Sequence, residues 1–218
     1  MIRTDRYAGI LVGTFEAADD RLRPDRASGG ARPREQREES SVDQIKEVFD
    51  INVFGLMRIT NAVQPHMRAQ GSGRVVNVSS VLGLSPRPFM AIYAATKHAI
   101  EGYSESVDHA LREHGVGMLL VEPAYTRTSF EASSLAPDSP LPVYVAQRQV
   151  SRDVLATALR TADDPDVVAK VIVTAATDPK PKVRYTAGST ARRVSLLRRI
   201  VPSRAFDKQL RKLNRLPG

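Results

Sequence analysis

The chain has 218 residues, enough for one domain with a sizeable core, and its 42% hydrophobic and 26% charged content is ordinary for a soluble globular protein. It has no cysteine, which excludes disulfides, thiolate chemistry and cysteine metal sites, and its four histidines (His66, His98, His109, His114) fall at no metal-ligand spacing. The net charge of +8 is lopsided: residues 180–218 hold twelve Lys/Arg against one acid, a net +11, so the remainder carries −3. A basic tail on a slightly acidic body argues against a nucleic-acid binder. No apolar run approaches the roughly 18 residues of a membrane span, and the first residues, Met-Ile-Arg-Thr-Asp-Arg, carry no leader-like apolar stretch. A soluble cytoplasmic protein without a bound metal is expected.

Residues 1–16 mix Ile10, Leu11, Val12 and Phe15 with glycines and predict one short strand and a loop. Residues 17–40 hold Leu22 as their single large apolar side chain. Such a segment buries too little surface to offset its ordering entropy and reads as a disordered insertion. The chain thus divides into an N-terminal part (1–40), a body (41–188) and a basic helical tail (189–218).

Ser41-Val-Asp-Gln is a capping box, and Ile45, Phe49, Leu56, Val63 and Met67 then recur at helical spacing. Asn52 falls on that same stripe, where a polar amide needs partners. It reads equally as a hydrogen-bonded structural residue or a functional one. Gly71-Ser72-Gly73 leads into a β-branched run, Val75, Val76 and Val78, that ends in Ser79-Ser80 and reads as a buried strand over 74–80. A second helix is predicted from Ala91 to His114, with Tyr93, Lys97, Ile100, Ser104, Val107 and Leu111 on its inward stripe. Lysine is almost never buried without a partner, so Lys97 on that stripe points to chemistry. Val116 to Val121 reads as another buried parallel strand, stopped by Glu122-Pro123.

Residues 129–144, with Pro137, Pro140 and Pro142, read as a mobile loop. Helices over 145–162 and 165–176 follow, the second capped by Asp164, then a strand over 183–188 and an amphipathic helix from Ser189 to about Arg215. Strands alternating with helices give an α/β protein with a parallel sheet.

Ser80, Tyr93, Lys97 and Asn52 form a chemical unit. A phenol with a pKa of about 10 is a poor base at neutral pH, and an ammonium one helical turn away favours its phenolate. Such a tyrosine can exchange a proton with a carbonyl/alcohol pair while Ser80 hydrogen-bonds the same oxygen. The site moves a proton and has no hydride source, so a nicotinamide cofactor is implied.

Tyr93-x-x-x-Lys97, with Ser80 thirteen residues upstream of Tyr93 and Asn52 in the preceding helix, resembles the short-chain dehydrogenase/reductase family. Asn52-Val-Phe-Gly, Val-Asn-Val-Ser-Ser and Tyr-Ala-Ala-Thr-Lys-His-Ala carry the likeness, over roughly residues 41–188. It implies a doubly wound, Rossmann-like parallel sheet, NAD or NADP, a small-molecule alcohol or carbonyl substrate and a homo-oligomer. Tyr93 would be the acid/base, Ser80 would orient the carbonyl, Lys97 would also hold the nicotinamide ribose, and Asn52 would support a proton relay. Pro123, Thr126 and Thr128 resemble the segment that lies against the nicotinamide, with Ala124 where the family has glycine. Gly9, in Arg6-Tyr7-Ala8-Gly9, resembles the end of the family's Asn-Asn-Ala-Gly turn.

The sequence departs from the family at its start: TGxxxGxG and GxGxxG are absent, so the first βαβ units are missing from the pattern. The resemblance then implies a truncated, frame-shifted or late-started member. The alternative is a non-catalytic remnant acting as an interaction module. For the tail, a helix packed on the sheet with arginines in solvent is favoured over a membrane-surface anchor.

Overall fold

The computed structural model describes residues 10–13, 37–128 and 137–217, and these form four strands and seven α-helices. The strands β1 (Ile10–Gly13), β2 (Gly73–Val78), β3 (Val116–Pro123) and β4 (Arg184–Ala187) are all parallel, in the order β1-β2-β3-β4. The register sets Val12 beside Val76 and Val78 beside Val121. β2 and β3 are central, and their near-continuous apolar runs follow from burial on both faces.

Side-chain alternation along the strands divides the core. Val75, Val116 and Met118 pack on one face with Met67 and Leu111. Val76, Val78, Leu119 and Val121 pack on the other with Ala175 and Ala187. The first face is covered by α2 (Gly55–Gln70) and α3 (Ala91–Leu111), the second by α5 (Pro165–Thr177). α4 (Val145–Arg160) precedes α5, which is capped by Asp164 as anticipated, its carboxylate accepting from the Asp166 N–H at 3.1 Å.

α1 (Val42–Phe49) begins at the expected cap, Ser41, whose Oγ accepts from the Gln44 N–H at 3.2 Å. The uniform stripe over 41–70 predicts one helix. The structure inserts a π-helical turn, Asp50–Phe54, between α1 and α2, with Asn52 buried on it. Such wide turns rotate the side chains that follow and occur often at functional sites.

Three further expectations are corrected. The tail is two helices, α6 (Ser189–Ile200) and α7 (Ser203–Leu213), divided at Pro202, which has no N–H to continue the ladder. Of the segment expected to be disordered, residues 17–36 lie outside the described residues, but 37–40 are ordered. Glu39 there is fully buried, its Oε1 paired with Arg148 at 2.5 Å and accepting from the Leu141 N–H at 2.7 Å. The predicted mobile loop is likewise tied down where it is described: Ser139 N–H donates to Glu39 O at 3.0 Å and Ser41 N–H to Asp138 at 2.8 Å. No helix among the described residues is long and apolar enough to cross a membrane.

The turns entering β2 and β3 touch. Gly115 has φ +72°, and a Cβ on it would stand 2.0 Å from the Gly71 carbonyl oxygen. Gly115→Ala combines left-handed strain with that clash, so it should cost about 2–3 kcal/mol in urea unfolding with an unchanged m-value. Stability equal to the parent's would contradict the contact.

Candidate functional site

The site lies at the carboxyl ends of β2 and β3. Past Val78 the chain stays extended through Ser80, whose Oγ accepts from the Leu82 N–H at 3.2 Å and caps the short turn Val81–Gly83. α3 begins eight residues after that turn and carries Tyr93 in its first turn. Ser80 and Tyr93 line one cavity of about 320 Å³, walled by Pro123 at the end of β3 and Ala124, Tyr125, Thr126 and Thr128 after it, by Leu155 and Leu159 of α4, and by α5.

Lys97 stands one helical turn beyond Tyr93 and is 3% exposed. Its Nζ lies 5.4 Å from the centre of the Tyr93 ring and donates to the Val78 carbonyl oxygen at 3.1 Å. An ammonium placed there favours negative charge on the phenol oxygen of Tyr93. Asn52 acts on the helix: its Nδ2 donates to Thr96 Oγ1 at 3.2 Å. Thr96 Oγ1 in turn donates to the Tyr93 carbonyl oxygen at 2.8 Å. The amide therefore braces the turn of α3 that carries Tyr93 and Lys97.

Behind Ser80 runs a second polar chain. Ser79 Oγ donates to Glu101 Oε1 at 2.6 Å, and Glu101 pairs with Arg184 of β4. Arg184 also holds Glu105 at 2.8 Å and Glu122, at the end of β3, at 2.5 Å. Burial works against the Arg184 charge, but its bond to Glu105 and the Glu101 charge outweigh that and hold its pKa above the ordinary arginine value. Gly83 meets this carboxylate closely: a Cβ on it would stand 2.6 Å from Glu101 Oε1, so Glu101 would have to shift. The carboxylate is thus packed directly under the loop that presents Ser80.

The cavity walls are fastened separately. Arg87 donates to the Ser151 carbonyl oxygen of α4 at 2.8 Å, lies 5.9 Å from the Tyr125 ring centre, and is the one charged residue lining the cavity among the described residues. The 123–128 segment is pinned to the α4–α5 connection by Arg127 N–H to Asp163 O at 2.9 Å and Asp163 N–H to Tyr125 O at 3.0 Å. Phe89, buried at φ +58°, meets the Tyr144 ring edge-on at 6.3 Å and holds the loop against the start of α4.

Of the residues singled out from sequence, Ser80, Tyr93, Pro123, Thr126 and Thr128 share the cavity. Lys97 lies directly behind Tyr93 and Asn52 one layer deeper. Gly9 lies outside the described residues. Sequence reasoning missed Thr96, Glu101, Glu122 and Arg184. Glu101 had a signal: it falls one helical turn after Lys97 on an inward-facing stripe, where a carboxylate needs a partner as much as an ammonium does.

Burial, with the Glu101 charge second, raises the Glu122 pKa above the ordinary carboxylate value against the pull of Arg184. A carboxyl with a raised folded-state pKa stabilises the fold fully below its unfolded pKa and less as pH rises through the raised one. Glu122→Gln removes that titration. Its urea-unfolding free energy should fall less than the parent's as pH rises above the ordinary carboxylate range. Parallel profiles for the two proteins would refute the assignment.

A family model described as short chain dehydrogenase matches residues 27–138. An uncharacterized oxidoreductase of Schizosaccharomyces pombe is 34% identical over 151 residues, covering 69% of this chain and 64% of the relative. The structure of a short-chain dehydrogenase from Streptomyces avermitilis is similar with a TM-score of 0.70 at 27% identity, covering 97% of this chain and 72% of that one. A short chain dehydrogenase/reductase from Burkholderia phymatum, crystallised in complex with NAD, gives 0.66 at 25% identity, covering 93% and 67%. The chain spans 64% of the length of the first curated relatives it matches. With just over half of its residues matched by the family model, and with that sheet and site, the chain belongs to the short-chain dehydrogenase family.

Proposed function

We propose that the chain carries the proton-transfer and substrate-binding part of an NAD(P)-dependent oxidoreductase that interconverts an alcohol and its ketone or aldehyde. One observation supports this above the others: Ser80 and Tyr93 line the same cavity, and buried Lys97 stands behind the Tyr93 ring. In this reading Tyr93 gives its phenolic proton to the substrate oxygen, or takes one from it in the reverse direction. The Lys97 ammonium stabilises the tyrosinate left behind, and Ser80 Oγ hydrogen-bonds the same substrate oxygen. Asn52 acts by bracing α3 through Thr96. Leu82, Met90, Leu155 and Leu159 present apolar walls that suit the hydrocarbon body of a substrate and exclude water.

NAD or NADP, when bound, supplies or accepts the hydride. In support of a place for its nicotinamide-ribose end, Tyr93, Pro123, Thr126 and Thr128 line one cavity at the carboxyl ends of two parallel strands, with Lys97 behind Tyr93, and open α/β sheets take such ligands there. For the pyrophosphate end the sequence offers no glycine-rich turn. The B. phymatum relative, 25% identical and bound to NAD, supports the cofactor class. Phe54 of the π-helical turn and Ile59 of α2, 47% and 38% exposed, suit contact with another copy of the chain.

Fluorescence titration with NADH and NADPH, followed by turnover of simple secondary alcohols, tests the reading. Tyr93→Phe should keep cofactor binding and lose roughly 10²- to 10⁴-fold in kcat. Lys97→Met should weaken both binding and turnover. If neither nucleotide binds the parent chain, the enzymatic reading fails for it. The second reading, a non-catalytic interaction module, draws on β1: it stands at one edge of the described sheet, with an edge free to pair among the described residues.

A further inference from the structure

The tail was expected to pack its apolar side on the body, and α6 does the opposite. Its inward side is made of Ala191, fully buried, Ser195, 7% exposed, and the half-buried Val194. About half a turn around the helix lie Leu196, Leu197 and Ile200, 54%, 43% and 65% exposed. Arg193 sits among them and Arg192 and Arg199 flank them, all exposed. Arg192 and Arg193 have no carboxylate partner among the described residues, and a shallow hollow between Gly188, Ser189, Arg192, Arg193 and Leu196 opens on the same side. Arg198 is the exception: it turns back to the Leu84 carbonyl oxygen at 3.1 Å and stacks 5.3 Å from the Phe206 ring centre.

α7 repeats the composition. Phe206 and Leu210, both half-buried, share one side with Leu213, 63% exposed, while Arg204, Lys208, Arg211 and Lys212 occupy the other. Asp207 is the one acid from residue 189 onward.

We infer that α6 and α7 form a docking surface for an anionic lipid bilayer, on which the protein lies without crossing. Aliphatic side chains interleaved with arginines on one exposed helix face are what a headgroup region accepts: the alkyl groups enter the acyl boundary while the cations meet phosphates and carboxylates. A nucleic acid would engage the cations and leave Leu196, Leu197 and Ile200 in water. A second copy of the chain, meeting this face about a two-fold axis, would set arginines against arginines with a single acid available per copy. Charge and apolarity together favour the bilayer. The inference is independent of the oxidoreductase reading.

Vesicle flotation of the full chain tests it, using phosphatidylcholine vesicles with and without phosphatidylserine. The parent should float with the phosphatidylserine vesicles and only weakly with the pure phosphatidylcholine ones. The double variant Leu196→Glu/Ile200→Glu should lose roughly tenfold or more of that binding. Arg192→Glu/Arg193→Glu should do the same, losing roughly tenfold or more for the two reversed charges. Both sites are exposed, and far-UV circular dichroism should show parental folding in each variant. The proposal is overturned if the parent does not float, or if the double glutamate variant floats like the parent. It is also overturned if, without lipid, that variant turns a dimer into a monomer, which would make the face a contact between copies. Duplex DNA binding unaffected by Leu196→Glu/Ile200→Glu, with no vesicle binding, would assign the cations to nucleic acid instead.

Discussion

A lysine ammonium buried beside a tyrosine ring sets the geometry from which the site follows. An unpartnered charge at 3% exposure would be very costly, so Lys97 must find acceptors. It finds the Val78 carbonyl at the end of β2 and the face of the Tyr93 ring. That hydrogen bond ties α3 to the end of β2. Ser80, two residues past Val78, and Tyr93, one turn before Lys97, are then brought to the same cavity with little freedom left. The Asn52–Thr96–Tyr93 string fixes the same helical turn from the opposite side, and the π-helical turn is what aims Asn52 inward.

A second constraint reaches the site from the end of the sheet. Arg184 gathers Glu101, Glu105 and Glu122, three carboxylates from α3 and β3, around one guanidinium. Removing the arginine would leave buried acids facing one another, which is worse than never having formed the cluster. Because Glu101 also holds Ser79 and fills the space under Gly83, the last strand supports the loop that carries Ser80. β4 is therefore part of the site's scaffold although none of its residues lines the cavity.

Sequence alone disclosed what is periodic and local. The α3 stripe named Tyr93 and Lys97, the cap at Ser41 and that at Asp164 lie where their side chains require, and the β-branched run ending in Ser79-Ser80 became the central strand. What escaped depends on distance in the chain. Arg184 meets Glu101 across 83 residues, and Glu39 meets Arg148 across 109, so no local pattern links either pair. The π-helical turn escaped because one added residue leaves an apolar stripe almost intact. Pro202 was visible, and the amphipathic pattern on both sides of it masked the break.

In the proposed oxidoreductase reading, the proton and the hydride make different demands on this architecture. Proton transfer needs groups from neighbouring elements, β2, α3 and the loop after β3, which one another's packing already fixes. Gripping a dinucleotide needs a crevice between helices on opposite faces, at the point where strand order reverses. The described sheet runs β1-β2-β3-β4 without reversal, so it builds one wall of such a crevice. The pyrophosphate would be held by backbone N–H groups at a helix start beyond β1, and no described residue supplies them. The two functions are thus separable along the sheet: acid/base geometry can persist on the β2–β3 side independently of what stands at the β1 edge.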